Sequence, residues 1–565
     1  MTNKTFSHER QHWMLTQLWA LIFLVAFAAM LPRSAVAQPV VGSSGILNGA
    51  SYAVPGLPNS GIAQGSIFIV FGQNLGPATI AQVSRFPLPT SQGLAGTSIK
   101  ITVGGTTVDA IMLYTLATQV AAVLPSNTPT GTGTLTVTYN GQTSAPAPIT
   151  VIKSSFGIFT LNQAGSGAAV LQNVNSATDR PINDATKPAR PGQVMILWGT
   201  GIGPVAGDEA AAALPGDMKT LDLHVWVGGV EAVVQYRGRS GCCTGIDQVV
   251  FVVPPGVEGC AVPVYVQIGN IISNFGTMSI AKSGSVCSDP NGFSASLIQQ
   301  ASKNGGLRVG SVYVGRNDGE AGKVHQTSDA LGAGFNKVSL DAVLHVTPVP
   351  KPGLCTVTQF PGFVAPVSAA LDAGKVSAST PVGPYDLVAY SKGVNILTFV
   401  PGAPSVSGVV GDGTQLQSGT YTFNVAGGAD VGPFTASIDF PRSFQWNHDA
   451  VTSVNRSQPL TITWTGGTAG ALVSILGHST LALGPKGAIG AAFQCWADAT
   501  QGSFTVPVSV LSALPASLTD ANGRSQGSTL TVMEALYGKT FTATGIDYGT
   551  IFFSDSYSKG FLPYI

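Results

Sequence analysis

The sequence predicts an all-β protein made of tandem antiparallel β-sandwich domains that follow an N-terminal export signal. Three observations lead there. Gly (70) and Pro (36) make up about a fifth of the 565 residues, a turn-rich composition that stays below the disordered range. Apolar and polar residues alternate in short runs such as Leu221-Asp222-Leu223-His224-Val225-Trp226-Val227, and a period of two marks a strand with one buried and one wet face. Runs of this kind recur between Gly/Pro/Asn turns along the chain, the pattern of antiparallel sandwiches.

Charge narrows the choice of partners. Lys+Arg and Asp+Glu both number 27, and charged residues are 10% of the chain. Without a basic excess there is no electrostatic footprint for phosphate backbones, so nucleic acid is not an expected partner. The mean hydropathy of +0.30 supplies material for several cores, and the length corresponds to three or four domains.

Residues 1–37 read as a signal peptide. A polar start with Lys4 and Arg10 precedes an apolar run from Leu18 to Leu31 and the small tripeptide Ala35-Val36-Ala37. That order is the export pattern, and the apolar run is short for a bilayer span. Cleavage is expected before Gln38, leaving no later segment long and apolar enough to span, so the chain is expected to be secreted or held at the cell surface.

Two copies of one module follow, at 38–153 and 154–288. Ser66-IFIVFGQNLG-Pro77 aligns with Gln193-VMILWGTGIG-Pro204, Val103-Gly104-Gly105 with Val227-Gly228-Gly229, and Gln119-VAAVL-Pro125 with Gln248-VVFVV-Pro254. Repetition of whole modules disarms the dinucleotide-loop reading of Gly199-Thr200-Gly201-Ile202-Gly203. Pro204 follows it, no helix is expected after it, and Val205 and Ala206 stand where a third Gly is needed.

All six cysteines lie beyond the signal, and an even number in an exported chain favours disulfides. As a hairpin, Val262–Ile268 and Asn274–Ile280 bring Cys260 near Cys287. Cys242 with Cys243 is a further candidate, strained because adjacent Cα atoms sit about 3.8 Å apart; Cys355 with Cys495 is then left by elimination. No Cys/His spacing of the zinc-site kind occurs, so no metal and no cofactor is expected.

These residues carry a resemblance. The Gly72–Pro77 and Gly199–Pro204 phrases, the paired Val-Gly-Gly turns, the Gln-Val…Pro strands and Gly-Cys-Cys-Thr-Gly-Ile-Asp-Gln resemble an uncharacterised paired Ig-like domain of secreted acidobacterial proteins, whose halves are similar to the IPT/TIG type. The likeness covers about residues 44–285. It implies an Ig-like fold and an exported setting, and it brings no catalytic residues.

Beyond it, 289–440 is expected to be β-rich with unassigned topology, including strands at Leu307–Val314, Val338–Val346, Tyr385–Tyr390 and Thr420–Val425. Residues 441–565 are expected to form a C-terminal Ig-like sandwich, with Leu460, Ile462 and Trp464 facing its core and a short helical turn near Val510–Pro515.

Enzymatic motifs are weak. Gly523-Arg524-Ser525-Gln526-Gly527 lacks the strand-to-helix context of a nucleophile elbow and reads as a polar hairpin loop. Asp318 and Glu320 read as an exposed turn with too few oxygen ligands for calcium. His224, His325, His345, His448 and His478 show no ligand spacing. His224 and Trp226 lie on the wet face of their strand, where the first copy has Lys100 and Thr102. Trp226 is thus a candidate platform for a sugar or a protein partner, unless an adjoining module covers it; Trp446 and Trp496 are weaker candidates. The sequence therefore points to a non-enzymatic adhesion or matrix-binding protein with a protein or glycan partner at the cell exterior. The alternatives are an accessory glycan-binding protein and an enzyme with its site in 289–440.

Overall fold

A computed structural model describes residues 37–289, 292–322, 324–345, 351–360, 368–399, 415–484 and 487–565. The signal-peptide segment lies outside the described residues. The chain is all-β, with antiparallel sheets packed face to face and three short α-helices among the described residues.

The first repeat is a sandwich of a five-stranded and a six-stranded sheet. Phe68, Val70, Ile99, Ile101, Met112, Leu135 and Val137 fill the space between them. The chain changes sheet at buried Ala110, because Thr106–Asp109 pairs with Thr97–Val103 and Ile111–Leu116 pairs with Gln119–Val123. In the second repeat one continuous strand, Val230–Arg239, makes the same crossing. It pairs with Leu223–Val227 on one side and, from Val233 onward through a bulge between Val234 and Tyr236, with Asp247–Val252 on the other. The Val-Gly-Gly turns enter both crossings. Gly104 and Gly105 (φ 56° and 81°) and Gly228 and Gly229 (φ 58° and 77°) adopt the paired left-handed conformation of a tight hairpin turn, which explains the double glycine in each copy.

The two repeats meet around a buried ion cluster. Arg239 Nη1 lies 2.9 Å from Asp247 Oδ1, and Nη2 lies 3.6 Å from Glu209 Oε1, with all three side chains at most 5% exposed. The second Glu209 oxygen accepts the Ser126 amide of the first repeat at 2.8 Å. Burial pushes the Asp247 carboxyl up, opposed by Arg239 and by the amides of Ile202 and Gly201. The Gly-rich segment at 199–203 is therefore a cradle for a buried carboxylate of its own chain.

The second half departs from two expectations. The first concerns the domain border at 440/441. One ten-stranded sheet takes strands from both sides of it, in the order Cys355–Phe360, Gly487–Asp498, Leu472–Gly484, Thr529–Phe541, Tyr548–Gly560, Gly306–Ala321, Val324–Ser339, Val394–Phe399 and Val388–Ser391, with Ser368–Ala370 beside Val324–Ser339. The last strand, Tyr548–Gly560, pairs in parallel with Gly306–Ala321 from Val309↔Tyr548 to Ala321↔Gly560, so the larger sheet of 441–565 continues across the border into 306–399. The second departure is helical. Ala295–Asn304 is a helix capped by Ser294, which accepts the Leu297 amide, and by Gly305 in the left-handed conformation. The strand expected at Val338–Val346 stops at Ser339, whose hydroxyl accepts the Ala342 amide and starts the helix Leu340–His345; residue 346 lies outside the described residues.

Two smaller sheets cover one face of the large one. The four-stranded sheet Gly383–Asp386, Val376–Thr380, Gly419–Val425 and Phe434–Phe440 encloses a core containing Val312, Leu331 and Phe553. The three-stranded sheet Gln445–Trp446, Leu460–Thr465 and Ser503–Val506 encloses another, containing Phe493, Val532 and Leu530, with Trp464 facing inward as its alternation predicts. Asp555 lies on the same strand face between Phe553 of the first core and Tyr557, which packs on the second. In register across four neighbouring strands, Asp329, Arg316, Asp555 and Glu534 form one polar row along this seam. Asp329, Asp555 and Glu534 are 0%, 3% and 1% exposed. Asp329 accepts the Leu416 amide at 3.0 Å and Glu534 the Thr468 amide at 2.5 Å.

The repeats dock on the second of these cores. Ala53, Leu57, Tyr265 and Phe275 belong to it, and Tyr265 Oη lies 2.8 Å from Ser509 Oγ. Tyr265 also stacks on Phe275 at 4.4 Å between ring centroids.

Two outcomes are expected. Burial, aided by Glu534 and Asp329 and opposed by Arg316 and Arg442, pushes the Asp555 carboxyl from 3.8 up to about 7. A folded carboxyl that holds its proton to higher pH than the unfolded one supplies stability that is full below about pH 4 and lost as pH rises to about 7. Asp555→Asn should therefore flatten the fall in stability between pH 4 and 7 and raise stability at pH 8 by on the order of 3 kcal/mol, read from urea unfolding across that range. At the docking face, Tyr265→Phe should cost about 1 kcal/mol through the lost Ser509 hydrogen bond. Tyr265→Ala should cost roughly 3–5 kcal/mol in the same assay.

Candidate functional site

The aromatic candidates are displaced from the surface role expected of them. Trp226 lies opposite Tyr265 in register, its ring stacked on Tyr265 at 6.2 Å and packed against the core of the second half. Its indole nitrogen is buried, with no hydrogen-bond partner among the described residues. The adjoining module covers it, so it is an interface residue and not a free platform. Trp446 and Trp496 are each 4% exposed. Trp446 sits opposite Trp464, and Trp496 packs on Leu472 and Tyr537. Both are core residues, a second correction.

His224 does reach the surface. Its Nδ1 lies 2.5 Å from Glu231 and its Nε2 3.0 Å from Asp222, and these two contacts raise its pKa, Glu231 most. The ring is held as part of a surface ion trio.

The cysteines divide four and two. Cys260 is bonded to Cys287 with Cα atoms 5.5 Å apart, and Cys355 to Cys495, which are register partners on neighbouring strands. Cys242 and Cys243 are free thiols in the structure.

Other sequence candidates also move. Asp318 and Glu320 lie inside the long strand Gly306–Ala321 and not in a turn, because pairing with Val324–Ser339 continues to Ala321↔Val324. Glu320 Oε2 is 3.0 Å from His448 Nδ1, which is 3.2 Å from Asp449 Oδ1, and Asp318 contacts His325. The fold thus joins histidine to carboxylates that sequence spacing kept apart. The three donor atoms Glu320, His448 and Asp449 share a radius a cation could fill, but the Lys559 ammonium, 3.9 Å from the same Glu320 oxygen, already supplies positive charge there. His478 is tied to Gly527 and Thr529. The Ser525 hydroxyl is buried and donates to the Leu562 carbonyl, while Asp520 accepts the Asn522 and Arg524 amides, so the 523–527 segment is a closed polar loop.

A concave site missed by sequence reading lies at one end of the four-stranded sheet, where it meets the edge of the large sheet. It is a cleft of about 920 Å³. Asp386, Ser377, Asn424 and Thr435 stand in register across its four strands and present one row of short polar side chains. Thr435 donates to Asn424 at 3.2 Å, which orients the amide. Lys375 stands at the rim, Asn395 is buried at 7% exposure, and Leu387 and Phe434 supply apolar wall. Phe434 is fixed by stacking on Phe541 at 4.2 Å. Next to lining residue Ala389, Tyr390 is 72% exposed at a strand bulge. Asp372, the other carboxylate of the lining, is turned to the Gly374 amide at 2.9 Å. Among the described residues the lining therefore offers one uncommitted carboxylate, the Lys375 ammonium, amides and hydroxyls. Such a set can hold a neutral, hydroxyl-rich ligand by hydrogen bonds.

The comparisons with known proteins add little to this geometry. No protein-family model matches the chain, and no curated protein does. Among solved structures, domains 4–9 of the surface-layer protein SbsC are 11% identical, cover 91% of this chain and 83% of their own, and give a TM-score of 0.16. A Bacteroides ovatus mixed-linkage glucan utilization protein, SGBP-B with a bound heptasaccharide, is 10% identical over 81% of this chain and 87% of its own, at 0.14. Immunoglobulin domains 1–4 of Sidekick-1 are 9% identical over 91% and 98%, at 0.12. Likenesses of this size carry no argument about role, and the assignment of tandem β-sandwich architecture rests on the sheets and cores of the chain itself.

Proposed function

We propose that the protein is an exported, non-enzymatic binding component of the cell exterior, attached to matrix or surface glycan through the cleft at 372–435. The observation that carries this reading is the in-register row Asp386–Ser377–Asn424–Thr435. Neighbouring strands lie about 4.8 Å apart and keep short side chains at fixed intervals with little entropy to lose, which suits repeated sugar hydroxyls. The exposed Tyr390, next in the chain to lining residue Ala389, offers an aromatic face for a pyranose ring. The signal-like first 37 residues and the two disulfides support an oxidising, exported setting. Adhesion in this reading arises from a site on a rigid scaffold.

The test is binding of the secreted protein to an array of bacterial and plant polysaccharides, followed by calorimetry on the best binder. The Asp386→Ala/Asn424→Ala double variant should weaken binding by roughly tenfold or more at unchanged urea midpoint, and Tyr390→Ala should weaken it less. Equal binding by all three proteins, or no binding across the array, would discard the cleft as a glycan site.

A further inference from the structure

The Cys242–Cys243 pair stands apart from the other cysteines in chemistry and in place. It sits in the 240–246 loop, whose two ends are Arg239 and Asp247, register partners and the core of the ion cluster between the repeats. The loop is fastened on both sides of the pair. The Ser240 amide donates to the Ile246 carbonyl, and the Thr244 hydroxyl donates to the Glu209 carbonyl at 2.8 Å. Thr200 donates its hydroxyl to the Gly245 carbonyl at 2.6 Å and accepts the Ile67 amide of the first repeat at 2.8 Å. Gly245 packs so closely on Ile67 and Val123 that a Cβ there would come within 2.7 Å of both. A change of backbone at 242–243 therefore bears directly on the contact between the repeats.

The two cysteines are adjacent in the chain. Cys242 is exposed, with the Ser240 hydroxyl 3.3 Å from its sulfur, whereas Cys243 is partly covered. Burial, and then the hydrogen-bonded Cys242 neighbour, push the Cys243 thiol up to about 11. Of the bonded cysteines, Cys287 and Cys495 are 1% and 0% exposed. Exposed or strained disulfides are the labile, regulatory kind, and one between adjacent residues is strained because about 3.8 Å between Cα atoms falls short of the roughly 4.4–6.8 Å that disulfides favour.

We infer that Cys242 and Cys243 form a redox-active site that exchanges with low-molecular-weight disulfides, closing to a vicinal disulfide and reopening to the dithiol, and so sets the conformation of the loop that joins the two repeats. In the closing direction the exposed Cys242 thiolate attacks one sulfur of the external disulfide and expels one thiolate, leaving a mixed disulfide. Cys243, whose burial keeps its thiolate scarce, then gives its proton to solvent and attacks the Cys242 sulfur, expelling the second thiolate. Two protein thiols are oxidised, one external disulfide is reduced to two thiols, and the reverse sequence reopens the pair.

The experiment uses the intact folded protein in a series of glutathione buffers from fully reduced to fully oxidised, followed by acid quench, alkylation and peptide mass mapping. The peptide holding both residues should carry two alkyl groups at the reduced end, and none with the mass of two hydrogens lost at the oxidised end. The other four cysteines should stay unlabelled throughout. Cys243→Ser should stop at a glutathione adduct on Cys242, and hydrogen exchange at the Ser126, Gly201 and Ile202 amides should differ between the two forms of the wild-type chain. Two alkyl groups on the pair at every buffer, or bonding of either residue to a different cysteine, overturns the site. A Cys243→Ser chain without the adduct overturns the order of attack, and identical amide exchange overturns the link to the junction.

Discussion

The parallel pairing of Tyr548–Gly560 with Gly306–Ala321 is the constraint on which the second half depends. It brings the end of the chain beside a strand more than two hundred positions earlier and fuses two segments into one sheet. A parallel pair needs a long crossover, and everything between the two strands serves as that crossover. The four-stranded and three-stranded sheets are the material of the excursion, folded back on one face of the strands they connect. The cleft lies where the polar row of the four-stranded sheet comes beside Ala389 and Asn395 of the large sheet.

Covering one sheet with two separate cores creates a seam, and charges are gathered there. The Asp329–Arg316–Asp555–Glu534 row and the Arg239–Asp247–Glu209 cluster occupy equivalent situations, each at a boundary between two apolar units. Buried ions contribute little net stability against apolar replacements, but breaking one partner away is costly. Such clusters therefore fix where one unit ends and the next begins. At the second-half seam burial, with the neighbouring Glu534 and Asp329, pushes the Asp555 carboxyl up to about 7 against the opposing charges of Arg316 and Arg442.

Local pattern carried the fold class and failed where pairing is distant. The alternation at Leu221–Val227 and at Leu460–Trp464, the turn glycines at 104–105 and 228–229 and the Cys260–Cys287 hairpin were readable because each depends on residues a turn or a strand apart. The register of Val309 with Tyr548 leaves no short-range trace, so the unity of 306–560 was hidden. The helices had local signals, Ser294 with Gly305 and Ser339 with Asp341, that a β-rich surrounding composition masked. The cleft was illegible for the same reason as the parallel pair. Ser377, Asn424 and Thr435 look like ordinary wet-face residues until register aligns them.

Trp226 shows how a repeat carries information that a single copy does not. In the first repeat the equivalent strand position is Thr102, facing Thr134 across the ladder, and the Thr102 hydroxyl bonds that of Thr107 on an exposed face. In the second repeat the same position pairs Trp226 with Tyr265, and that face is pressed on the core of the second half. One backbone geometry thus serves two environments, and the exchange of a Thr–Thr pair for a Trp–Tyr pair records which copy lays this face on the second half. An aromatic that replaces a small polar residue between copies is explained first by the neighbour each copy has, since burying two rings against a module removes far more apolar area from water than a Thr pair can. Tyr390 differs from both, since among the described residues it stays 72% exposed at a bulge of its strand.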